Sequence, residues 1–142
     1  MSLAVEESNR RLLRARDAMD RTYAEPLDIA ALAAVALTSE AHFIRTFRAT
    51  FGETPHRYLQ RRRVERAMYL LRRTDRDVTQ VCLDVGFSSL GTFSRTFREI
   101  VGESPSDFRK RKGERLAAVP NCFAMAWTRP SSFGEARRQA RG

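Results

Sequence analysis

Little sulfur, little histidine and no long apolar run mark this chain, and each shortage closes off a class of function. Two cysteines, Cys82 and Cys122, stand among 142 residues. Two thiols make neither a disulfide framework nor a metal cluster, and Cys82 lies in an apolar helical pattern that suits a packed core. The two histidines, His42 and His56, fit no metal-ligand spacing, and the seven glycines form no phosphate-cradling loop. With no nucleophile motif either, an enzyme is not expected, nor any cofactor. The longest apolar stretch, Ile29–Leu37, is nine residues, far short of a membrane span. The opening MSLAVEESNRR carries acids where a signal peptide needs bases. The expected compartment is the cytoplasm, with no membrane partner.

What the chain has in excess is arginine. Lys and Arg number 26 against 17 Asp and Glu, a formal net charge of +9. Nearly all of the positive charge is guanidinium, a planar fork of donors that matches phosphates and guanine edges. A basic balance of this kind favours a polyanionic partner, nucleic acid or an anionic surface, without choosing between them.

An internal repeat narrows the choice. Ser39–Tyr58 (SEAHFIRTFRATFGETPHRY) laid over Ser89–Phe108 matches at a spacing of fifty. Phe43, Arg45, Thr46, Phe47, Arg48, Gly52, Glu53 and Pro55 recur as Phe93, Arg95, Thr96, Phe97, Arg98, Gly102, Glu103 and Pro105, and Tyr58 returns as Phe108. The chain therefore holds two copies of one structural unit.

Each copy reads as helix, tight turn, helix. In the first, Leu27–Val35 is alanine-rich and helix-forming, Asp28 caps it, and Ala36-Leu37-Thr38 makes the turn. Ser39 caps the next helix, Phe43 and Phe47 form its inward stripe, Gly52 ends it and Pro55 opens another. In the second, Val78–Val85 is the first helix, Gly86-Phe87 turns the chain, and Ser88 or Ser89 caps a helix striped by Phe93 and Phe97. Gly102 stops that helix and Pro105 opens the last. Between the copies, Tyr58, Leu59, Val64, Ala67, Met68 and Leu71 recur at helical spacing within a linker helix. Ahead of them, Ser8–Tyr23 reads as a helix burying Leu12, Leu13, Ala15 and Met19. The expected fold is all-α, with about seven helices in two helix-turn-helix subdomains (8–55 and 75–113), a linker helix (56–74) and a C-terminal tail (114–142).

A helix-turn-helix whose second helix is apolar on one face and polar on the other suits the major groove of double-stranded DNA. The expected DNA-facing residues are Glu40, Ala41, Ile44, Arg45 and Arg48 in the first copy, and Ser89, Leu90, Gly91, Thr92, Arg95 and Arg98 in the second. Arg45 and Arg95 suit bidentate contact with guanine O6 and N7, while Ile44, Leu90 and the Thr92 methyl suit thymine methyls. Ala41 and Gly91 permit close approach. Arg48 and Arg98, a turn further on, suit phosphates. The helix starts at Asp28 and Val78-Thr79 offer backbone N–H groups to phosphates. The run Arg61-Arg62-Arg63 reads equally as a phosphate clamp, a solvated face or packing arginines.

These residues carry a resemblance. Leu27–Arg111, about 85 of 142 residues, resembles the DNA-binding domain of the AraC/XylS family of bacterial transcription regulators. The second half, VTQVCLDVGFSSLGTFSRTFREIVGESPSDFRKR, follows the family signature most fully, and LAAVALTSEAHFIRTFRATFGETPHRYL supplies the first half. The linker contributes Arg63-Val64, Ala67 and Leu70-Leu71. The resemblance implies DNA contacts at Ala41, Ile44 and Arg45 and at Leu90, Gly91, Thr92 and Arg95. Several of these positions are commonly polar in the family. Ala36 stands where a turn glycine is frequent, and Arg62 stands where an apolar residue is usual.

The resemblance further implies a sequence-specific transcription regulator, most often an activator, with RNA polymerase as a partner. Its short flanks match the stand-alone members, regulated by their amount or by a partner. One such chain is expected to bind DNA as a monomer, reading two adjacent major grooves roughly 34 Å apart. The alternatives are a low-specificity DNA-binding accessory protein and a ligand-sensing repressor with a small-molecule or protein effector. The latter needs a pocket, for which the linker helix and the apolar tail (LAAVPNCFAMAW) are the expected lining. In that tail Phe123, Met125 and Trp127 alternate, as in a short strand or packed arm, and the last ten residues read as disordered.

Overall fold

Seven helices and no strand run through the described residues, 2–111, of the computed structural model: α1 (Leu3–Arg21), α2 (Ile29–Val35), α3 (Glu40–Phe51), α4 (Pro55–Arg73), α5 (Val78–Asp84), α6 (Leu90–Val101) and α7 (Pro105–Lys110). The all-α class expected from the repeat is the one found. The expectations for the tail, Cys122 and the aromatic alternation included, fall outside the described residues. The chain divides into two compact units, one ending at Arg62 and the other starting at Arg63, so the boundary lies inside α4.

In the first unit α1, α2 and α3 pack on one another. Helix α1 starts at Leu3 rather than Ser8, because the Ser2 hydroxyl accepts the Val5 N–H at 3.2 Å and caps it earlier. It buries Leu12, Ala15 and Met19, spaced on one helical stripe. Leu13, expected in the core, is 40% exposed; a step of 100° turns it off that stripe. Phe43 and Phe47 of α3 are fully buried, with ring centroids 5.6 Å apart, and Tyr58 of α4 meets Phe47 edge-on at 5.7 Å. Burying such rings stabilises by about 1.5–3 kcal/mol each, and the edge contacts add about 1 kcal/mol.

The second unit repeats this frame. Phe93 and Phe97 of α6 lie 5.8 Å apart, and Phe108 of α7 meets Phe97 edge-on at 5.6 Å. Val64, Ala67, Met68 and Leu71 of α4 are buried here. From α7, Arg109 donates to the Leu71 carbonyl at 3.2 Å and the Thr74 carbonyl at 3.4 Å, satisfying acceptors that the end of α4 leaves open.

The repeat does not hold one spacing throughout. Helices α3 and α6 are fifty residues apart, whereas α2 and α5 are 49 apart (29 to 78). The turn of the second unit therefore has one residue more. In the first turn Leu37 N–H donates to Ala34 O and Thr38 N–H to Ala33 O; in the second, Gly86 N–H donates to Leu83 O and Phe87 N–H to Cys82 O. Both are Schellman endings, whose pivotal residue takes a left-handed conformation. That residue is Gly86 (φ 102°) in the second unit and Leu37 (φ 56°) in the first. The counterpart of Gly86 is thus Leu37, not Ala36 as a uniform spacing implied, and Ala36 is an ordinary right-handed residue.

Arg62, unusual in a linker helix, has a reason within the first unit. It is buried, and its Nε donates to Asp20 Oδ1 of α1 at 3.0 Å. The Tyr58 hydroxyl donates to the same oxygen at 2.6 Å. Burial, reinforced by the Asp20 charge, pushes Tyr58 ionisation well above its ordinary value.

Candidate nucleic-acid interface

Helices α3 and α6 owe their exposed faces to the way their ends and inner faces are fixed. The Ser39 hydroxyl accepts the His42 N–H at 3.2 Å, and Ser89 does the same for Thr92 at 3.2 Å, so Ser89 rather than Ser88 is the cap. Gly52 and Gly102, both left-handed, end the two helices. With Phe43 and Phe47, or Phe93 and Phe97, turned inward, the opposite faces must meet solvent.

The expected DNA-facing residues lie on or beside those outer faces. Glu40, Ala41, Ile44, Arg45 and Arg48 are exposed on α3; Ser89, Leu90, Gly91, Arg95 and Arg98 are exposed on or beside α6, and Thr92 is half-buried. Ile44 and Leu90 are 38% and 44% exposed, apolar side chains left in water. His42, which the sequence reading passed over, belongs to the same surface. Its Nδ1 lies 3.5 Å from Arg45 Nη2, a neighbour that the i,i+3 spacing already signals. The Ser89 hydroxyl is occupied as an acceptor by its cap.

Several arginines are engaged within the protein. Arg61 is held by Glu53, Arg62 by Asp20, Arg76 by Asp84 and Arg111 by Glu103. Arg63 lies over the Phe87 ring at 5.7 Å, and burial lowers its pKa. The run Arg61-Arg62-Arg63 is thus engaged within the protein, the packing alternative of the three. By contrast, among the described residues no carboxylate pairs with Arg45, Arg48, Arg95 or Arg98. These four guanidiniums stand unneutralised on two helix faces of the same design.

The starts of α2 and α5 are different from expectation. The Asp28 carboxylate accepts the Ala31 N–H at 3.0 Å, and Asp77, whose role the sequence reading missed, accepts the Gln80 N–H at 2.7 Å. Each end already carries an anionic cap that repels a phosphate. The signal for Asp77 was an Asp directly ahead of an apolar helix.

Among the described residues no group of His, Cys, Asp and Glu is placed to hold a metal, and no helix is long and apolar enough to cross a membrane. Burial pushes the Cys82 thiol up, and its sulfur meets the Phe87 carbonyl. An open groove of about 320 Å³ lies between α1 and α3, lined in part by Val5, Leu12, Thr46 and Ala49. Its lining is not the linker helix on which a ligand pocket was expected.

Known proteins share this architecture. A helix-turn-helix domain family matches residues 32–111. The regulatory protein SoxS of Salmonella typhimurium is 34% identical over 93 residues, 66% of this chain and 87% of SoxS. A transcriptional regulator with an AraC-type DNA-binding domain from Chromobacterium violaceum superposes with a TM-score of 0.69 at 30% identity, over 80% of this chain and 97% of that one. The DNA-binding domain of the global transcriptional factor AdpA, solved in complex with a target DNA, does so with a TM-score of 0.67 at 31% identity, over 75% and 95%. Other curated transcriptional regulators are longer: the chain spans about a quarter of their length, 27% of one and 26% of two others.

Proposed function

Since the chain belongs to the AraC-type helix-turn-helix family of DNA-binding transcription regulators, we propose that it is a sequence-specific regulator that reads two adjacent major grooves of double-stranded DNA, one with α3 and one with α6. The observation that carries this reading is the pair Arg45 and Arg95. They occupy equivalent places on the two helices, both exposed and neither paired with a carboxylate. In this role each presents its fork to guanine O6 and N7. Arg48 and Arg98, one turn along, hold phosphates and fix register. Glu40 suits a cytosine amino group, and Ile44 a thymine methyl.

One chain suffices for both grooves, so it binds as a monomer to an asymmetric site of about 20 base pairs. It acts in the cytoplasm as an activator, holding a promoter and presenting another face to RNA polymerase. The work is binding, not bond chemistry.

The test is selection of bound duplexes from a random library, with affinities of the winners measured at two salt concentrations. One asymmetric motif is expected, with Arg45→Ala and Arg95→Ala each relaxing a different half at a cost of about 1–3 kcal/mol. Arg48→Ala and Arg98→Ala are expected to weaken all DNA alike and flatten the salt dependence. Enrichment of no motif, with every variant weakened equally on all DNA, sinks the specific reading and leaves a low-specificity accessory protein.

A further inference from the structure

The first turns of the two recognition helices are chemically unlike. At equivalent places α3 presents Glu40, Ala41 and His42, and α6 presents Leu90, Gly91 and Thr92. The α3 turn offers a carboxylate and an imidazole. The α6 turn carries no ionisable group.

Leu90 and Gly91 lack an internal explanation. Leu90 is 44% exposed at the first position of a capped helix, where a polar residue would serve the fold as well. Gly91 is a helical glycine outside the left-handed region, so its conformational freedom is not in use. A Cβ built there meets only the Ser89 hydroxyl, at 3.7 Å, an ordinary contact. Glycine nevertheless weakens a helix relative to alanine. The bare backbone at Gly91 thus leaves the start of α6 open to close approach from outside the protein. Thr92, next in line, adds a methyl, and no hydrogen bond holds its hydroxyl among the described residues.

In the major groove the one apolar feature of any base is the C5-methyl of thymine. We infer that the first turn of α6 reads thymine methyl groups by apolar contact, Leu90 touching the methyl and Gly91 giving the clearance that brings the helix down onto it. This rests on the DNA-binding reading above and assigns a base chemistry to one half of its site. Arg95, a turn further on, places a guanine in the same half.

The experiment takes the full chain and the best duplex selected from a random library, resynthesised with deoxyuridine replacing one thymidine at a time. The replacement removes the methyl and leaves the base pairing intact. In the half that Arg95→Ala relaxes, one or two replacements are expected to weaken binding about three- to tenfold. Leu90→Ala should lose as much on the thymidine duplex and then no longer distinguish it from the deoxyuridine one. Gly91→Ala should unfold at the same or a higher temperature while binding at least about tenfold more weakly, which separates clearance from folding. Selective binding that is indifferent to every deoxyuridine replacement overturns the inference and leaves the regulator reading intact. So does Leu90→Ala that still prefers thymidine. A library that yields no motif removes both.

Discussion

The two units share a skeleton and differ in what has been added to it. Phe43, Phe47 and Tyr58 repeat as Phe93, Phe97 and Phe108 with centroid distances within a few tenths of an ångström. The same serine caps, left-handed glycine ends and Schellman turns recur. Three additions separate them. The first unit has a hydroxyl on Tyr58 where the second has Phe108, and that hydroxyl joins Arg62 on the Asp20 carboxylate. The first turns its chain through a strained leucine, the second through a glycine. The first also opens its recognition helix with charge, the second without. A repeated core thus tolerates divergence at its polar joints and outer face, because close packing constrains shape only where side chains interdigitate.

The largest expected effect tests the shared part. Phe47→Ala and Phe97→Ala should each destabilise their own unit by about 3–5 kcal/mol, measured by denaturant unfolding with tertiary-structure probes in each half. A loss confined to one of them would mean that the ring stacks are not equivalent.

Next comes the joint that only the first unit has. Asp20→Ala removes the carboxylate from between Tyr58 and Arg62 and should cost about 3 kcal/mol. Replacing all three together (Asp20→Leu, Arg62→Met, Tyr58→Phe) should recover most of it, since neither charge of the pair is then left buried without the other. A triple variant as unstable as the single one would break this account.

The same joint predicts a pH dependence. Tyr58 ionisation is raised in the folded state above its ordinary value of 10.0. The stability that this contributes is complete below that pH and declines above it, because only the unfolded chain then gives up the proton. The wild-type protein should therefore lose about 1.4 kcal/mol per pH unit more than Tyr58→Phe above pH 10. Parallel pH profiles of the two proteins would remove Tyr58 as the source.

The smallest effect sharpens the contrast between turns. Leu37→Gly should stabilise by about 0.5–1 kcal/mol, and Gly86→Ala should destabilise by about 1 kcal/mol. Calorimetry reads both as opposite shifts of the unfolding temperature. Shifts of the same sign would mean that the strain at Leu37 is compensated by its side chain.

Much of this was legible in the residues. Phe43 and Phe47 at i,i+4, Ser39 and Asp28 ahead of helices, and Gly52 before Pro55 each mark local structure by a local cause. The exposed face of each recognition helix followed by subtraction, since whatever is not the stripe faces outward. The misses have other origins. Leu13 looked buried because its neighbours at Leu12 and Ala15 are, yet one step of rotation exposes it. The Asp20–Arg62 pair joins positions 42 apart, and no spacing rule links them. The offset of 49 before the turn was hidden by stronger identities at fifty after it.

By itself, then, the order of residues determined which stretches are helical, where they are capped, and which face of α3 and α6 is apolar, because each depends on groups within one or two turns. Tertiary structure alone decided which arginines are held by a carboxylate and which stay exposed without one. That choice rests on whether a distant element brings a carboxylate within reach, as α1 brings Asp20 to Arg62 and no described element does for Arg45 or Arg95.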